Sequence, residues 1–118
     1  MSKRMDADLI QDIIESIHRI TSYTEKISYD EFLKDYKSQD AVIRNLEILG
    51  EAGKLLSVKI KEKYPHIPWK DITGTRDKLI HDYFGVNINL VWDTVEKEIP
   101  RLSQSVDRLL KPPAPPFN

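Results

Sequence analysis

An arginine, a histidine and a tyrosine lie close together in residues 76–83, which read RDKLIHDY. An arginine side chain can hold a phosphate with a fixed fork of N–H donors, and a histidine can exchange protons near neutral pH. Arg76 and His81 are therefore candidates for cleaving a phosphodiester without a metal, with Tyr83 beside them. Asp77 lies four residues before His81, where it is placed to orient the imidazole and to favour its protonated form.

The spacing of Arg76 and His81 does not put them on one narrow helix face. Five residues of α-helix turn about 500°, so these two side chains point about 140° apart. Arg76 and Tyr83 do share a face, about 10.5 Å apart along the axis. Three arrangements would unite the arginine and the histidine: a bent arginine side chain, a helix loosened near His81, or two copies of the chain lining one cleft. The spacing alone leaves all three open.

The pattern Arg-x4-His-x-Tyr, with Asp77 directly after the arginine, resembles the signature of the HEPN superfamily. More narrowly, it resembles the HepT-type toxins, small helical ribonucleases encoded beside a minimal nucleotidyltransferase antitoxin, MntA. The similarity extends to residues 41–52 with their Gly-Glu-Ala step, to residues 69–74, and to residues 91–93 and 100–102 in the last helix. It covers roughly Met5 to Leu110, which is nearly the whole chain.

The resemblance implies an all-α, HEPN-like fold and the toxin of a type VII-like toxin–antitoxin pair, acting as a homodimer with no metal and no cofactor. RNA would be cleaved by attack of the ribose 2′-hydroxyl on the adjacent phosphate. His81 would act as general base or general acid, and Arg76 would stabilise charge on the phosphate. Tyr83 would accept AMP from an MntA-like nucleotidyltransferase, and the added charge would block the cleft and compete with RNA for Arg76.

Glu47 and Glu51 are one helical turn apart and could form an acid–base or metal-binding pair. Because no carboxylate–histidine motif accompanies them, the favoured interpretation is a solvated face, or Glu51 holding Arg76 in place. Taken singly, the three motif residues would each have an ordinary explanation. Arg76 would form a surface ion pair, and His81 would be favoured near a helix C-terminus. Tyr83 would pack in the core with its hydroxyl at the edge.

The chain has 118 residues, a net charge of -1 and no cysteine. This balance excludes a strongly basic nucleic-acid-binding module and leaves any RNA contact to a local patch. The patch could be the cluster Lys54, Lys59, Lys61 and Lys63, although a solvated helix end explains that cluster equally well. Without cysteine there are no disulfides or thiolate metal sites. No long apolar run or signal peptide is visible, so we expect a cytoplasmic protein without membrane contact.

The apolar spacing predicts a first helix from about residue 6 to 24, followed by a short helix to about residue 36. Ser28 and Glu31 form the capping box of that short helix. A central helix should run from about residues 38–40 to about residue 64, where Pro65 ends it. Gly50 and Gly53 would let another helix approach closely, which is compatible with a dimer.

Further along, Pro68 should begin a short turn, and Thr73 should cap the motif helix, which Gly85 would close. Asn87 or Asn89 should cap the last helix, and Pro100 should kink or split it. Residues 1–111 are thus predicted to form an up-and-down bundle of four main helices with short extra turns. The proline-rich residues 112–118 should form a flexible tail.

Three functions are consistent with these patterns. The first is the metal-independent endoribonuclease, whose cleavage of RNA should depend on Arg76 and His81. The second is a catalytically silent HEPN module that binds and regulates a nucleotidyltransferase and is modified at Tyr83 without cleaving RNA. The third is a helical interaction domain with an accidental motif, in which substitutions at these residues alter only stability.

Overall fold

The computed structural model describes the backbone of residues 2–80 and 85–110 and the side chains of residues 5–77 and 85–107. The described residues form helices joined by short connections and contain no strand, which confirms the all-α prediction. The helices are α1 (Ser2–Thr24), α2 (Tyr29–Lys34), α3 (Tyr36–Leu55), α4 (Val58–Lys63), α5 (Trp69–Ile80), α6 (Ile88–Asp93) and α7 (Ile99–Leu110), with a π-helical turn at Thr94–Glu98 between the last two. The predicted tail, residues 112–118, lies outside the described residues.

The antiparallel helices α1 and α3 pack along each other and supply much of the core. The start of α1 meets the end of α3, where Asp6 accepts hydrogen bonds from the backbone N–H and the hydroxyl of Ser57, at 3.0 and 2.7 Å. Burying one aliphatic side chain contributes about 1.5–3 kcal/mol, so the apolar stripes of the two helices dominate the stability of this pair. The fully buried members are Ile13, Ile17, Ile20, Val42, Leu46 and Leu49.

The central helix is shorter than the sequence predicts. It begins at Tyr36, two residues or more before the expected start, because Asp35 accepts a hydrogen bond from the backbone N–H of Ser38 and caps it. It ends at Leu55 instead of near residue 64. The helix ends there because Ser57 is the N-cap of α4. The Ser57 hydroxyl accepts a hydrogen bond from the backbone N–H of Ile60. The prediction of one helix through to Pro65 was wrong.

The two glycines of α3 bring α5 against it within the same chain. A Cβ atom at Gly50 would lie 2.5 Å from Cβ of Arg76, and one at Gly53 would lie 2.6 Å from Cγ2 of Ile72. The expected close helix approach is therefore confirmed, and α5 is the helix that makes it. Because α5 of the same chain packs against both glycines, they give no support for a dimer.

The helix that carries the motif begins earlier than predicted. α5 starts at Trp69 and continues through Thr73, so Thr73 is not its N-cap. Inside the helix the Thr73 hydroxyl instead lies within hydrogen-bonding distance of the carbonyl oxygens of Trp69 and Lys70, at 3.1 and 3.0 Å. Pro68 precedes the first turn, and its carbonyl accepts from the N–H of Ile72 at 3.1 Å. The predicted turn and the motif helix are thus one element.

The remaining caps and breaks follow the sequence. The capping box of Ser28 and Glu31 is present, and Asn87 caps α6 by accepting from the N–H of Leu90. The last helix is interrupted by the π-helical turn directly before α7, whose second residue is Pro100. Gly85 has a φ of 140°, which favours glycine. Its predicted role in closing α5 involves residues outside the described ones.

α7 completes the bundle by packing along α1. An ion pair of 2.6 Å between Arg101 and Asp71 links the start of α7 to the start of α5. Nearby, the ring of Trp92 on α6 packs 4.9 Å from the buried ring of Phe32 on α2. None of the described helices is both long and apolar enough to span a membrane.

Candidate active site

Arg76 projects from the second half of α5 towards α3. Its Nη1 donates to Oε2 of Glu51 at 2.7 Å. The two side chains are 37% and 46% exposed, so solvent reaches the pair and its contribution to stability is at most about 1 kcal/mol. The pair therefore fixes the direction of the guanidinium more than it holds the fold. The contact expected between Glu51 and Arg76 is present, and its role in catalysis stays a prediction.

The backbone beneath Arg76 is fixed against α3 by its neighbour. Thr75 is buried, and its hydroxyl lies 2.7 Å from the carbonyl oxygen of Ile72 and 3.2 Å from that of Leu46 on α3. Together with the contact at Gly50, this leaves little freedom for the start of the Arg76 side chain. Thr75 cannot be identified from the sequence, because its spacing does not distinguish it from a surface threonine.

A cleft of about 360 Å³ opens between α1, α3 and the Arg76 side chain. Its walls include the buried Leu9 and Ala52. Two guanidinium groups and three carboxylates also line it, so negative charge is in excess and the cleft has little general attraction for a polyanion. These charged residues are Asp12, Arg44, Glu47, Glu51 and Arg76.

Arg44 is a cleft residue that was not among the predicted site residues. It lies seven residues before Glu51 on α3, a spacing that returns a side chain to within about 20° of the same face. Arg44 is exposed and forms no ion pair with any residue in the described part of the chain. The spacing from Glu51 was the signal that could have identified it.

The structure unites only part of the predicted site. Arg76 and Glu51 are in contact, and Asp77 is exposed on α5. His81 and Tyr83 lie outside the described residues, since the described part of α5 ends at Ile80. The predicted orientation of His81 by Asp77 and the position of Tyr83 therefore stay predictions.

A profile described as "Ribonuclease HepT-like" matches residues 13–109. This chain belongs to the HepT-like ribonuclease family. It is 45% identical over 109 residues to the probable ribonuclease HepT of Thermococcus cleftensis, covering 92% of this chain and 99% of that one. A candidate RNase of Methanocaldococcus jannaschii is 42% identical over 111 residues, covering 94% and 92% of the two chains. No solved structure matches at a significant level.

The match to the HepT-like ribonucleases includes every predicted site residue, because it runs from residue 13 to residue 109. A candidate RNase of Caldanaerobacter subterraneus is similar over much the same range, at 42% identity over 102 residues and 91% of that protein's length. The family predicted from the motif is thus confirmed, and with it the class of ribonuclease.

The lysine cluster of this HepT-like chain is divided between two helices. Lys54 lies in the last turn of α3, whereas the other three belong to α4. The cluster is therefore not the end of one central helix, as the sequence suggested. Among the described side chains, no three histidines or acidic residues are grouped to hold a metal ion. Cleavage without a metal stays a prediction.

Proposed function

We propose that this chain is a metal-independent endoribonuclease that uses the ribose 2′-hydroxyl of its RNA substrate as the nucleophile. The observation that carries the proposal is the position of the Arg76 guanidinium. Arg76 lies on the motif helix, and Glu51 holds its guanidinium at the edge of an open cleft. A fixed guanidinium can bind two phosphate oxygens and stabilise the charge that develops on them. His81 is the first residue after the described part of α5 and is the group suited to moving protons.

The proposed reaction needs one base and one acid. The base takes the proton of the 2′-hydroxyl while its oxygen bonds to phosphorus, the bond from phosphorus to the 5′-oxygen breaks, and the acid protonates that oxygen. The products are a 2′,3′-cyclic phosphate and a 5′-hydroxyl. In a two-fold dimer, the His81 of one copy would act as base and that of the other as acid. DNA lacks the 2′-hydroxyl and should not be cut.

The proposal includes a homodimer formed across the cleft. Isologous packing brings each residue of a patch against the same patch of the partner, so a surface with both charges can be complementary to itself. The cleft has that character, because exposed Arg44 lies on the same face of α3 as Glu47 and Glu51. Leu55, which also lines the cleft, is 55% exposed and would be covered in such a dimer.

The proposal also includes silencing by a partner. An MntA-like nucleotidyltransferase would transfer AMP to Tyr83, and the added phosphate would compete with RNA for Arg76. The chain would then be the toxin of a type VII-like toxin–antitoxin pair acting in the cytoplasm, where an RNA substrate is available. The resemblance of residues 76–83 to the HepT-type motif is the support for this part.

The test is RNA cleavage by the purified protein in excess EDTA, beside folded Arg76→Ala and His81→Ala variants. Intact mass must first show that Tyr83 carries no AMP. Cleavage by the wild type alone, with cyclic phosphate ends, is the expected result. Cleavage by both variants at the rate of the wild type would contradict the assignment of these residues. No cleavage of any RNA by the unmodified protein would favour the silent module that binds and regulates a nucleotidyltransferase.

A further inference from the structure

A second concave surface, here called the Trp69 groove, lies at the start of α5. Its volume is about 490 Å³, and it is formed by the end of α4, the connection to α5 and the first turns of α5. Ile67, Pro68 and Trp69 give it an apolar lining, and Lys61 and Lys70 bring two ammonium groups to it. The combination of an aromatic ring with nearby cations is typical of sites for single-stranded nucleic acid.

The indole of Trp69 is held in a fixed position. Its Nε1 donates to the carbonyl oxygen of Tyr64 at 2.9 Å, and the side chain is half-buried. Part of the ring packs against the hydrophobic core, and the ring also lines the groove. A ring that is already oriented loses little conformational entropy when a base stacks on it, which favours binding.

The charge around the groove is strongly positive for this protein. Residues 54–70 contain five lysines and one glutamate, a net charge of +4 in a chain whose total is -1. Neither Lys61 nor Lys70 forms an ion pair with another residue that the structure describes. The carboxylate of Asp71, which also lines the groove, is neutralised by Arg101 at 2.6 Å. Both ammonium groups are therefore available to phosphates.

The cleft at Arg76 has the opposite balance. Its carboxylates outnumber its guanidinium groups, so it attracts an RNA strand poorly, and affinity must come from elsewhere. The Trp69 groove reaches Thr73, which lies three residues before Arg76 on α5. That separation is about 4.5 Å along the helix axis, and the two positions are about 60° apart around it. RNA lying in the groove can therefore continue to Arg76.

We infer that the Trp69 groove binds the single-stranded RNA that flanks the scissile phosphate. A base stacks on Trp69, and phosphates of the strand contact Lys61 and Lys70. This inference rests on the proposed ribonuclease function and assigns the surface that holds its substrate. Because stacking and phosphate contacts accept any base, the groove supplies affinity for unpaired RNA without reading its sequence.

The first test measures binding without cleavage. A 2′-O-methyl RNA oligonucleotide has no free 2′-hydroxyl, so it can bind without being cut. The Lys61→Ala/Lys70→Ala variant should bind it on the order of tenfold more weakly, and the plot of log affinity against log salt should become shallower by about 1.4, for two lost phosphate contacts. Lys26→Ala/Lys34→Ala is the matched control, with two exposed lysines removed elsewhere, and should bind as the wild type does.

The second test reports on the ring itself. The chain has two tryptophans, so Trp92→Phe leaves Trp69 as the only one, and Trp69→Phe leaves only Trp92. Titration with the same oligonucleotide should quench the tryptophan fluorescence of Trp92→Phe, because a stacked base contacts its indole. The fluorescence of Trp69→Phe should stay nearly constant. Equal quenching in both variants would overturn the stacking assignment.

The outcomes separate this inference from the proposed function. RNA binding with Trp69 quenching but no cleavage would support the groove and refute the endoribonuclease. Binding and salt dependence unchanged in Lys61→Ala/Lys70→Ala would overturn the groove, even if RNA is cleaved. Lysine-dependent binding of polyglutamate without any binding of RNA would also overturn it, and would assign the groove to an acidic protein partner.

Discussion

Gly50 of α3 lies directly against the backbone of Arg76 on α5. A Cβ atom at Gly50 would be 2.5 Å from Cβ and 2.9 Å from the backbone nitrogen of Arg76, closer than side chains tolerate. A substituent at this position would push α5 away from α3. The displaced residue would be Arg76, and its ion-pair partner Glu51 directly follows Gly50 on α3. The missing side chain at Gly50 therefore sets the separation of the two helices at the candidate site.

We expect Gly50→Ala to destabilise the protein and to impair cleavage. Alanine is intrinsically favoured over glycine in a helix by about 1 kcal/mol, but overpacking costs typically about 1–3 kcal/mol. The clash is with the backbone and Cβ of Arg76, which cannot rotate aside, so a net loss of up to about 2 kcal/mol should result. Urea unfolding measures the stability, and RNA cleavage should fall on the order of tenfold because Arg76 is displaced.

Gly74→Ala is the matched control for this substitution. Gly74 is also within a helix, but a Cβ atom there would meet no heavy atom of the described residues within 4 Å. This change should therefore stabilise the protein by about 0.5–1 kcal/mol and leave cleavage intact. If Gly50→Ala were equally stabilising, the close packing of α5 on α3 would be disproved.

Local signals made much of the fold predictable. The apolar stripe of α1, the capping box at Ser28 and the cap at Asn87 depend on residues a few positions apart, and all three are present. The break between α3 and α4 was not predicted, because the residue that hydrogen-bonds to the chain at the break is distant in sequence. Ser57 caps α4 locally, but its own N–H and hydroxyl are bound by Asp6, 51 residues earlier.

The candidate site was predictable to a similar extent. The residue types and the motif identified Arg76, and its contact with Glu51 followed from the charges. Arg44 was readable from its seven-residue spacing to Glu51. Thr75 could not be identified in this way. The hydrogen bond of its hydroxyl depends on which carbonyl of α3 lies nearby, and the packing of α5 against the glycines of α3 decides that.

The contact between Asp6 and Ser57 should make stability depend on pH. Hydrogen bonds from the Ser57 hydroxyl, and then from its backbone N–H, lower the pKa of the Asp6 carboxyl. A pKa lowered in the folded state adds stability above the unfolded pKa, near 4, and the gain is lost as the pH falls through the folded pKa. The coupling energy of Asp6→Ala with Ser57→Ala should therefore be larger at neutral pH than in acid. A coupling that grows on acidification would contradict this assignment.

The buried hydroxyl of Thr75 should contribute measurably to stability. Thr75→Val keeps the shape of the side chain but removes its only hydrogen-bond donor, so we expect a loss of about 1 kcal/mol in the free energy of unfolding. Thr75→Ser keeps the hydroxyl and loses a methyl group, which separates the two contributions. The hydrogen-bond explanation requires that the valine variant lose stability; a variant as stable as the wild type would rule it out.

Glu51→Gln should slow cleavage while leaving the fold intact. Glutamine keeps the shape of the side chain and an acceptor oxygen but removes the charge that directs the guanidinium of Arg76. Because the pair is substantially exposed, the change in unfolding free energy should stay below about 1 kcal/mol. We expect kcat to fall on the order of tenfold, with KM little changed, since the orientation of Arg76 matters most when charge develops on the phosphate.

Glu47→Gln separates orientation of Arg76 from the general charge of the cleft. Glu47 lines the same cleft one helical turn earlier, so its substitution removes the same charge and should leave kcat nearly unchanged. If the two variants lose activity equally, the effect comes from the field of the cleft. A role through Arg76 also predicts non-additivity: in an Arg76→Ala background, Glu51→Gln should cause no further loss, because the group that it orients is gone.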